Sequence, residues 1–289
     1  SGPDYSELSE SCDIVITALP HGVSSQVVPM LLDKGIRVLD HSGDFRYKNA
    51  QTYTTAYKLN HPHPELLSSA VYGLPEIFRE NIRNAPLVAN PGCYPTCSIL
   101  GIRPLLESSL INTSGIVISA ASGISGAGRK SELSFSFCES ESSFKPYTPV
   151  GHRHTSEIEE ILSQIRGSQI NVTFTPHLLP VKRGMLASIY VPLDKKISTD
   201  GLNELYKNYY SDEFFIRVLD NGSCPDIKHV LYSNFADIAV FADEKTNRAI
   251  IFCAIDNLGK GAALQAIQSL NIMAGLPEET ALQNVGGGL

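Results

Sequence analysis

No apolar run in this chain approaches the ~18 residues that cross a bilayer, and no secretory hydrophobic core opens it. The residues given therefore contain no candidate membrane span, and a targeting peptide ahead of Ser1 stays open. It also lacks a basic excess. With 23 Lys+Arg against 30 Asp+Glu the net charge is −7, which argues against a nucleic-acid or anionic-membrane partner and leaves room only for local phosphate pockets. The six cysteines (Cys12, Cys93, Cys97, Cys138, Cys224, Cys253) show no C-x-x-C pairing, and several sit inside apolar runs. Reduced thiols of a cytoplasmic protein fit this better than a disulfide framework. A zinc site from Cys93, Cys97, His152 and His154 is disfavoured too, because Cys-x-x-x-Cys entering a helix lacks the usual ligand knuckle. Internal repeats and long low-complexity segments are absent. What remains is an ordinary composition, 43% hydrophobic and 18% charged over 289 residues, enough for a large core and two domains.

Residues 13–19 are apolar and β-branched, a helical stretch follows at 24–34, and a second strand reads at 36–40. Strand, helix and strand with short links make a βαβ unit, so the first domain is expected to be α/β with a parallel sheet, joined by a short strand at 87–89. Beyond a helix at 96–106 the pattern changes. Segments 116–121, 170–175, 185–192, 214–218, 238–242 and 248–255 are strand-like, which predicts an α+β domain on a mixed or antiparallel sheet. A last helix at 261–274 stops at Gly275 and Pro277.

Asn90-Pro91-Gly92-Cys93-Tyr94-Pro95 joins the strand at 87–89 to the following helix. Pro95 suits a first helical position, which places Cys93 just before a helix N-terminus. Orphan N–H groups and the positive end of the macrodipole there favour a thiolate, so Cys93 reads as a nucleophile. His152 and His154, in Gly151-His-Arg-His, precede a helix whose Ser156 and Glu159 read as a capping box, with Ile158, Ile161, Leu162 and Ile165 as its apolar face. Either histidine has the chemistry of a general acid/base. Ser122-Gly-Ile-Ser-Gly-Ala-Gly-Arg129 follows a strand, and its glycines at 123, 126 and 128 permit positive φ and a backbone approach to an anion or carboxamide. Asp44-Phe45-Arg46 follows the second strand's C-terminal end, where α/β sheets hold ligands. His177 and Arg183 lie in an extended, proline-bounded segment that suits an active-site wall or a subunit interface.

The sequence Asn90–Thr96, NPGCYPT, resembles the catalytic-cysteine signature of N-acetyl-γ-glutamyl-phosphate reductases. Other segments resemble that family in the same order: Leu19-Pro-His-Gly-Val-Ser24, Asp44-Phe-Arg46, Val71-Tyr-Gly-Leu-Pro-Glu76, Ser122–Arg129, Gly151-His-Arg-His154, Phe174-Thr-Pro-His-Leu178, Ser233-Asn-Phe235 and Asp256-Asn-Leu258 with Gly261-Ala-Ala263. The family opens with a glycine-rich βα unit, and about 30 or more such residues are expected ahead of Ser1.

The resemblance implies a partial Rossmann-type doubly wound parallel-sheet domain binding NADP (residues 1–92). It implies an α+β catalytic and dimerisation domain with a mixed sheet (93–255), and a C-terminal segment returning to the first domain (256–289). By the same resemblance Cys93 is the nucleophile and His154, or failing that His152, the acid/base. Arg46 and Asn90 hold the acyl-phosphate group, and Arg183 is a further substrate-side candidate, equally placed for a subunit interface. Leu19, Pro20 and His21 flank the cofactor's adenosine half, and Ser122, Gly123, Ser125, Gly126 and Asn257 lie against its nicotinamide half. The expected partners are a small acyl-phosphate substrate and further copies of the chain, as a dimer or tetramer in the cytoplasm, with no metal, nucleic acid or membrane. The same chemistry on an aminoadipyl or aspartyl phosphate, or a non-catalytic assembly fragment that binds no cofactor, are the alternative readings.

Overall fold

The computed structural model describes residues 5–108, 110–128, 132–284 and 286. The chain forms two compact units, 1–92 with 265–282, and 93–264 with 283–289. Arg129, part of the glycine-rich motif, lies outside the described residues.

In the first unit α1 (Tyr5–Ser11), β1 (Ile14–Thr17), α2 (Ser24–Leu32), β2 (Arg37–Asp40), α3 (Ala50–Tyr57), β3 (Val71–Tyr72), α4 (Pro75–Asn84) and β4 (Leu87–Ala89) follow one another. The four strands make a parallel sheet in the order β1-β2-β4-β3. Strand alternation gives it two apolar faces. Val38, Leu87 and Ala89 pack with Val28, Leu31 and Phe45 on one side, while Leu39 and Val88 pack with Ile82, Ile272 and Met273 on the other. The second face is closed by the C-terminal helix (Leu264–Met273); of the segment 256–289 expected to return here, only 265–282 belongs to this unit. The C-terminal ends of β1, β2 and β4 lead into Leu19–Gly22, His41–Arg46 and Asn90–Gly92, the edge where such sheets hold ligands.

The second unit opens with α5 (Cys93–Ser108) and continues through β5 (Ile116–Gly123), α6 (Phe137–Ser140), β6 (Lys145–Pro146), α7 (Arg153–Arg166), β7 (Val172–Leu179), β8 (Met185–Pro192), α8 (Thr199–Tyr209), β9 (Ile216–Val218), β10 (Ala236–Asp243) and β11 (Arg248–Ile255). Its seven strands form one mixed sheet, β6-β7-β5-β8-β11-β10-β9, with β5 parallel to β7 and antiparallel to β8. α5 lies against this sheet so closely that a Cβ at Gly101 would meet Ile189 Cδ1 at 2.7 Å, which is why glycine sits in mid-helix. Burial alternates along β8, with Met185, Ala187, Ile189 and Val191 fully covered and the residues between them only half-covered. One sheet face is thus packed and the other partly open.

Three local expectations need correction. α5 begins at Cys93, so the cysteine is the first helical residue and Pro95 the third. The first turn has no intrahelical acceptors for its N–H groups, so proline there costs no bond. α7 begins at Arg153 and is capped by His152, not by a Ser156–Glu159 box. Ser156 donates back to the Arg153 carbonyl at 3.0 Å, and Glu159 accepts the Val172 N–H at 3.0 Å. The last helix opens with a wide π turn, Gly259–Ala263, before its regular part.

Candidate active site

Cys93 is half-buried at the first turn of a 16-residue helix, where the N-terminal end stabilises negative charge on sulfur. Cys97, one turn on, is buried and donates its S–H to the Cys253 carbonyl at 3.0 Å. The neighbouring Cys97 thiol, then burial, push Cys253 up from its ordinary value, which suits a packing thiol. Cys93 instead lies on the wall of a cavity of about 540 Å³, shared with Tyr94, Ser122, Gly126, Tyr147 and the 152–154 segment.

Around it the aromatic side chains form a connected wall. Tyr147 donates its hydroxyl to Tyr94 Oη at 3.1 Å, and Tyr94 donates to the His177 carbonyl at 3.2 Å. Burial raises both phenols, Tyr94 well above its ordinary value, so both stay protonated. The Tyr94 ring touches His152 edge-on at 6.0 Å and His154 at 5.9 Å, and the two imidazoles are 4.9 Å apart. The motif thus places both histidines on the cavity that Cys93 lines.

Their states differ. His152 Nδ1 accepts the His154 backbone N–H at 3.1 Å, which puts its ring proton on Nε2. Burial, helped by the Arg153 guanidinium, lowers its pKa to about 4. His152 is thus a neutral helix cap whose one acceptor nitrogen is committed. His154, 7% exposed, lies on the same cavity wall without that duty.

The glycine-rich loop behaves differently from expectation. The N–H groups of Gly123, Ile124 and Ser125 bond the carbonyls of Gly184, Val181 and Lys182 at 2.9, 2.9 and 3.1 Å, so they are spent within the protein rather than held for an anion. Of its glycines only Gly128 has positive φ (74°). Gly123 is needed for packing, since a Cβ there would meet Arg183 N and Val181 O at 2.9 Å. Ser122, Gly123 and Gly126 still line the cavity. Asn257 staples the loop, its Oδ1 accepting from Gly184 N at 2.8 Å and its Nδ2 donating to Ser125 Oγ at 2.9 Å. Arg183 is locked in a two-pronged pair with the fully buried Asp256, at 3.0 and 2.9 Å, and does not line the cavity. Its guanidinium lies over the Tyr232 ring, and Asp256 also gathers the N–H groups of Tyr232, Leu258 and Gly259.

At the ligand edge of the first unit Arg46, 8% exposed, donates to the His41 carbonyl at 3.1 Å, and the His41 ring meets Asn90 Nδ2 at 3.2 Å. Arg46 and Asn90, proposed from the sequence, thus converge on one residue. His41 had drawn no notice there, and its only signal is its place directly after β2. Burial first, then Arg46, lowers its pKa against the opposing pull of Asp40. Beside them Asp44, fully buried, accepts from Gly22 N, Ser25 N and Tyr53 Oη, and His21 Nδ1 accepts from Gly43 N at 2.8 Å. The Asp44 carboxylate already neutralises the start of α2, so a pyrophosphate does not fit at that helix end. Leu19 and Pro20 are exposed beside Gly22, whose φ is +81°.

Residues 3–85 match the family described as semialdehyde dehydrogenase, NAD binding domain, and residues 93–257 match semialdehyde dehydrogenase, dimerisation domain. The chain is 53% identical over 283 residues to an N-acetyl-gamma-glutamyl-phosphate reductase of Acetivibrio thermocellus, covering 98% of this chain and 82% of that protein. It is 49% identical over 284 residues to one of Halothermothrix orenii, again 98% and 82%. Among solved structures, aspartate semialdehyde dehydrogenase II of Vibrio cholerae superposes with a TM-score of 0.72 at 17% identity, over 94% of this chain and 81% of that one. The Candida albicans aspartate semialdehyde dehydrogenase with NADP gives 0.67 at 15%, over 92% and 78%. At such identities these two share the fold.

Proposed function

The chain belongs to the N-acetyl-γ-glutamyl-phosphate reductase family, and from that premise we propose how its residues divide the work. The protein is an NADP-dependent oxidoreductase that reduces N-acetyl-γ-glutamyl phosphate to the semialdehyde with release of phosphate, a step of arginine biosynthesis. Bound NADPH supplies the hydride.

The Cys93 thiolate attacks the acyl carbonyl, and phosphate leaves to give a thioester on sulfur, splitting one difficult reduction into two easier steps. His154 then protonates the oxygen that becomes an alkoxide as the thioester is reduced, and takes that proton back as the aldehyde departs. His152 serves as a neutral cap that holds the start of α7 and offers only its Nε2–H. Arg46 and Asn90 hold the leaving phosphate, with the Arg46 fork matched to its oxygens. Leu19, Pro20 and His21 flank the adenosine, and Ser122, Gly123, Ser125 and Gly126 form the wall toward the nicotinamide. Asn257 and Arg183 act as positioning residues: Asn257 staples the loop, and Arg183 holds the turn that carries Asp256.

The observation that carries this reading is that Cys93 joins a helix N-terminus to a cavity wall shared with both histidines. NADPH oxidation with stoichiometric phosphate release from N-acetyl-γ-glutamyl phosphate, abolished in Cys93→Ser, tests it. Loss of NADPH oxidation without loss of phosphate release in that variant would mean that acyl transfer occurs elsewhere.

The protein works in the cytoplasm as a dimer or a tetramer. None of the six cysteines forms a disulfide, as in a reducing compartment, and no helix among the described residues is long and apolar enough to cross a membrane. The half-covered face of the large sheet is the surface that a second copy would cover.

A further inference from the structure

The substrate of this reaction is anionic at both ends, and Arg46 answers for only one of them. The cavity beside Cys93 carries two cations among its described lining residues, Lys145 and Arg153, against one carboxylate, Glu132. Arg153 is the first residue of α7, a 14-residue helix whose positive end borders the cavity. Arg153 is exposed on the cavity wall, between the helix cap His152 and the almost fully buried His154. Lys145 sits opposite in kind, on a two-residue strand exposed along its length.

Taking Cys93 as the acyl acceptor, we propose that Arg153, supported by Lys145, is the subsite that holds the α-carboxylate of the substrate. The planar guanidinium presents a fork that matches a carboxylate, which a lysine does not. Four C–C bonds of ~1.5 Å separate the reacting γ-carbonyl carbon from the α-carboxyl carbon, about 5 Å when extended. Tyr147 marks the intervening wall: its phenol feels both the Cys93 sulfur and the Arg153 guanidinium. A cation on that shared wall makes the pocket selective for acyl groups with a free carboxylate at their far end.

The test runs the reaction toward oxidation, with NADP and inorganic phosphate, on two aldehydes: N-acetylglutamate semialdehyde, and 4-acetamidobutanal, which has the same chain without the carboxylate. Arg153→Gln should lower kcat/KM for the first by about 10- to 100-fold, the worth of a charged hydrogen-bonded contact, mostly through KM. It should change 4-acetamidobutanal by less than about threefold, and Arg153→Lys should fall between wild type and Arg153→Gln. An equal loss on both aldehydes would make Arg153 a structural part of the helix start and overturn the subsite. So would no loss on either. If the wild type oxidises neither aldehyde, the reading of Cys93 itself fails first, so the two failures are told apart.

Discussion

Gly261 abuts Cys93: a Cβ built at position 261 would lie 2.8 Å from the cysteine's Cβ and 3.3 Å from its Cα. The π turn Gly259–Ala263, tied by the Gly261 N–H to the Asp256 carbonyl at 2.9 Å, is the backstop that sets where the sulfur stands. Gly261→Ala should therefore push Cys93 off its position. Acyl transfer should slow by at least about tenfold while overpacking costs ~1–3 kcal/mol of stability. Stopped-flow release of phosphate checks this, and a variant as fast as wild type would remove the backstop role.

A general acid/base contributes ~10²–10⁴-fold to rate. His154→Ala should lower kcat by at least about a hundredfold with NADPH affinity unchanged, and His154→Asn, which bonds but does not shuttle a proton, should be nearly as slow. His152→Ala should raise KM more than it lowers kcat, because it loosens the start of α7. Reversed phenotypes would hand the proton transfer to His152.

The state of His152 also writes itself into stability. Its pKa is about 4 in the fold against 6.5 unfolded, so the unfolded chain binds the extra proton between those values. Its contribution is complete above pH 6.5 and is lost as pH falls toward 4. His152→Asn keeps a capping acceptor and removes the titration. The gap in urea midpoint between pH 7.5 and pH 5 should be smaller in that variant than in wild type. Equal gaps would mean that His152 is not held neutral.

Arg46→Lys keeps charge and loses the fork. In the oxidising direction the KM for inorganic phosphate should rise by about tenfold, the scale of one charged hydrogen bond, with little change in the KM for aldehyde. An unchanged phosphate KM would leave Arg46 as a prop for the His41 loop.

The parts of this molecule that were readable from its sequence are those set by local chemistry. The strands at Leu87–Ala89, Met185–Pro192 and Arg248–Ile255 have the bounds that apolar runs and flanking turns suggest. The Gly92–Cys93 step into a helix also survives, although the helix starts two residues before Pro95. What escaped depends on distant partners. His41 matters only because Asn90, 49 positions away, bonds its ring. Glu159 looked like a capping residue but bonds Val172, at the start of the neighbouring β7, and a histidine rarely announces itself as a helix cap. The N–H groups of the 123–125 loop looked free until the 181–184 segment folded back to use them.

The central claim is that the acyl group passes through Cys93. It is tested most directly by mixing the intact protein with N-acetyl-γ-glutamyl phosphate in the absence of NADPH and mapping the product by mass spectrometry after acid quench. The expected result is one N-acetylglutamyl group on the peptide carrying Cys93, released by hydroxylamine and absent from Cys93→Ser. An adduct on any other residue, or turnover in NADPH without any adduct under rapid quench, would contradict the account.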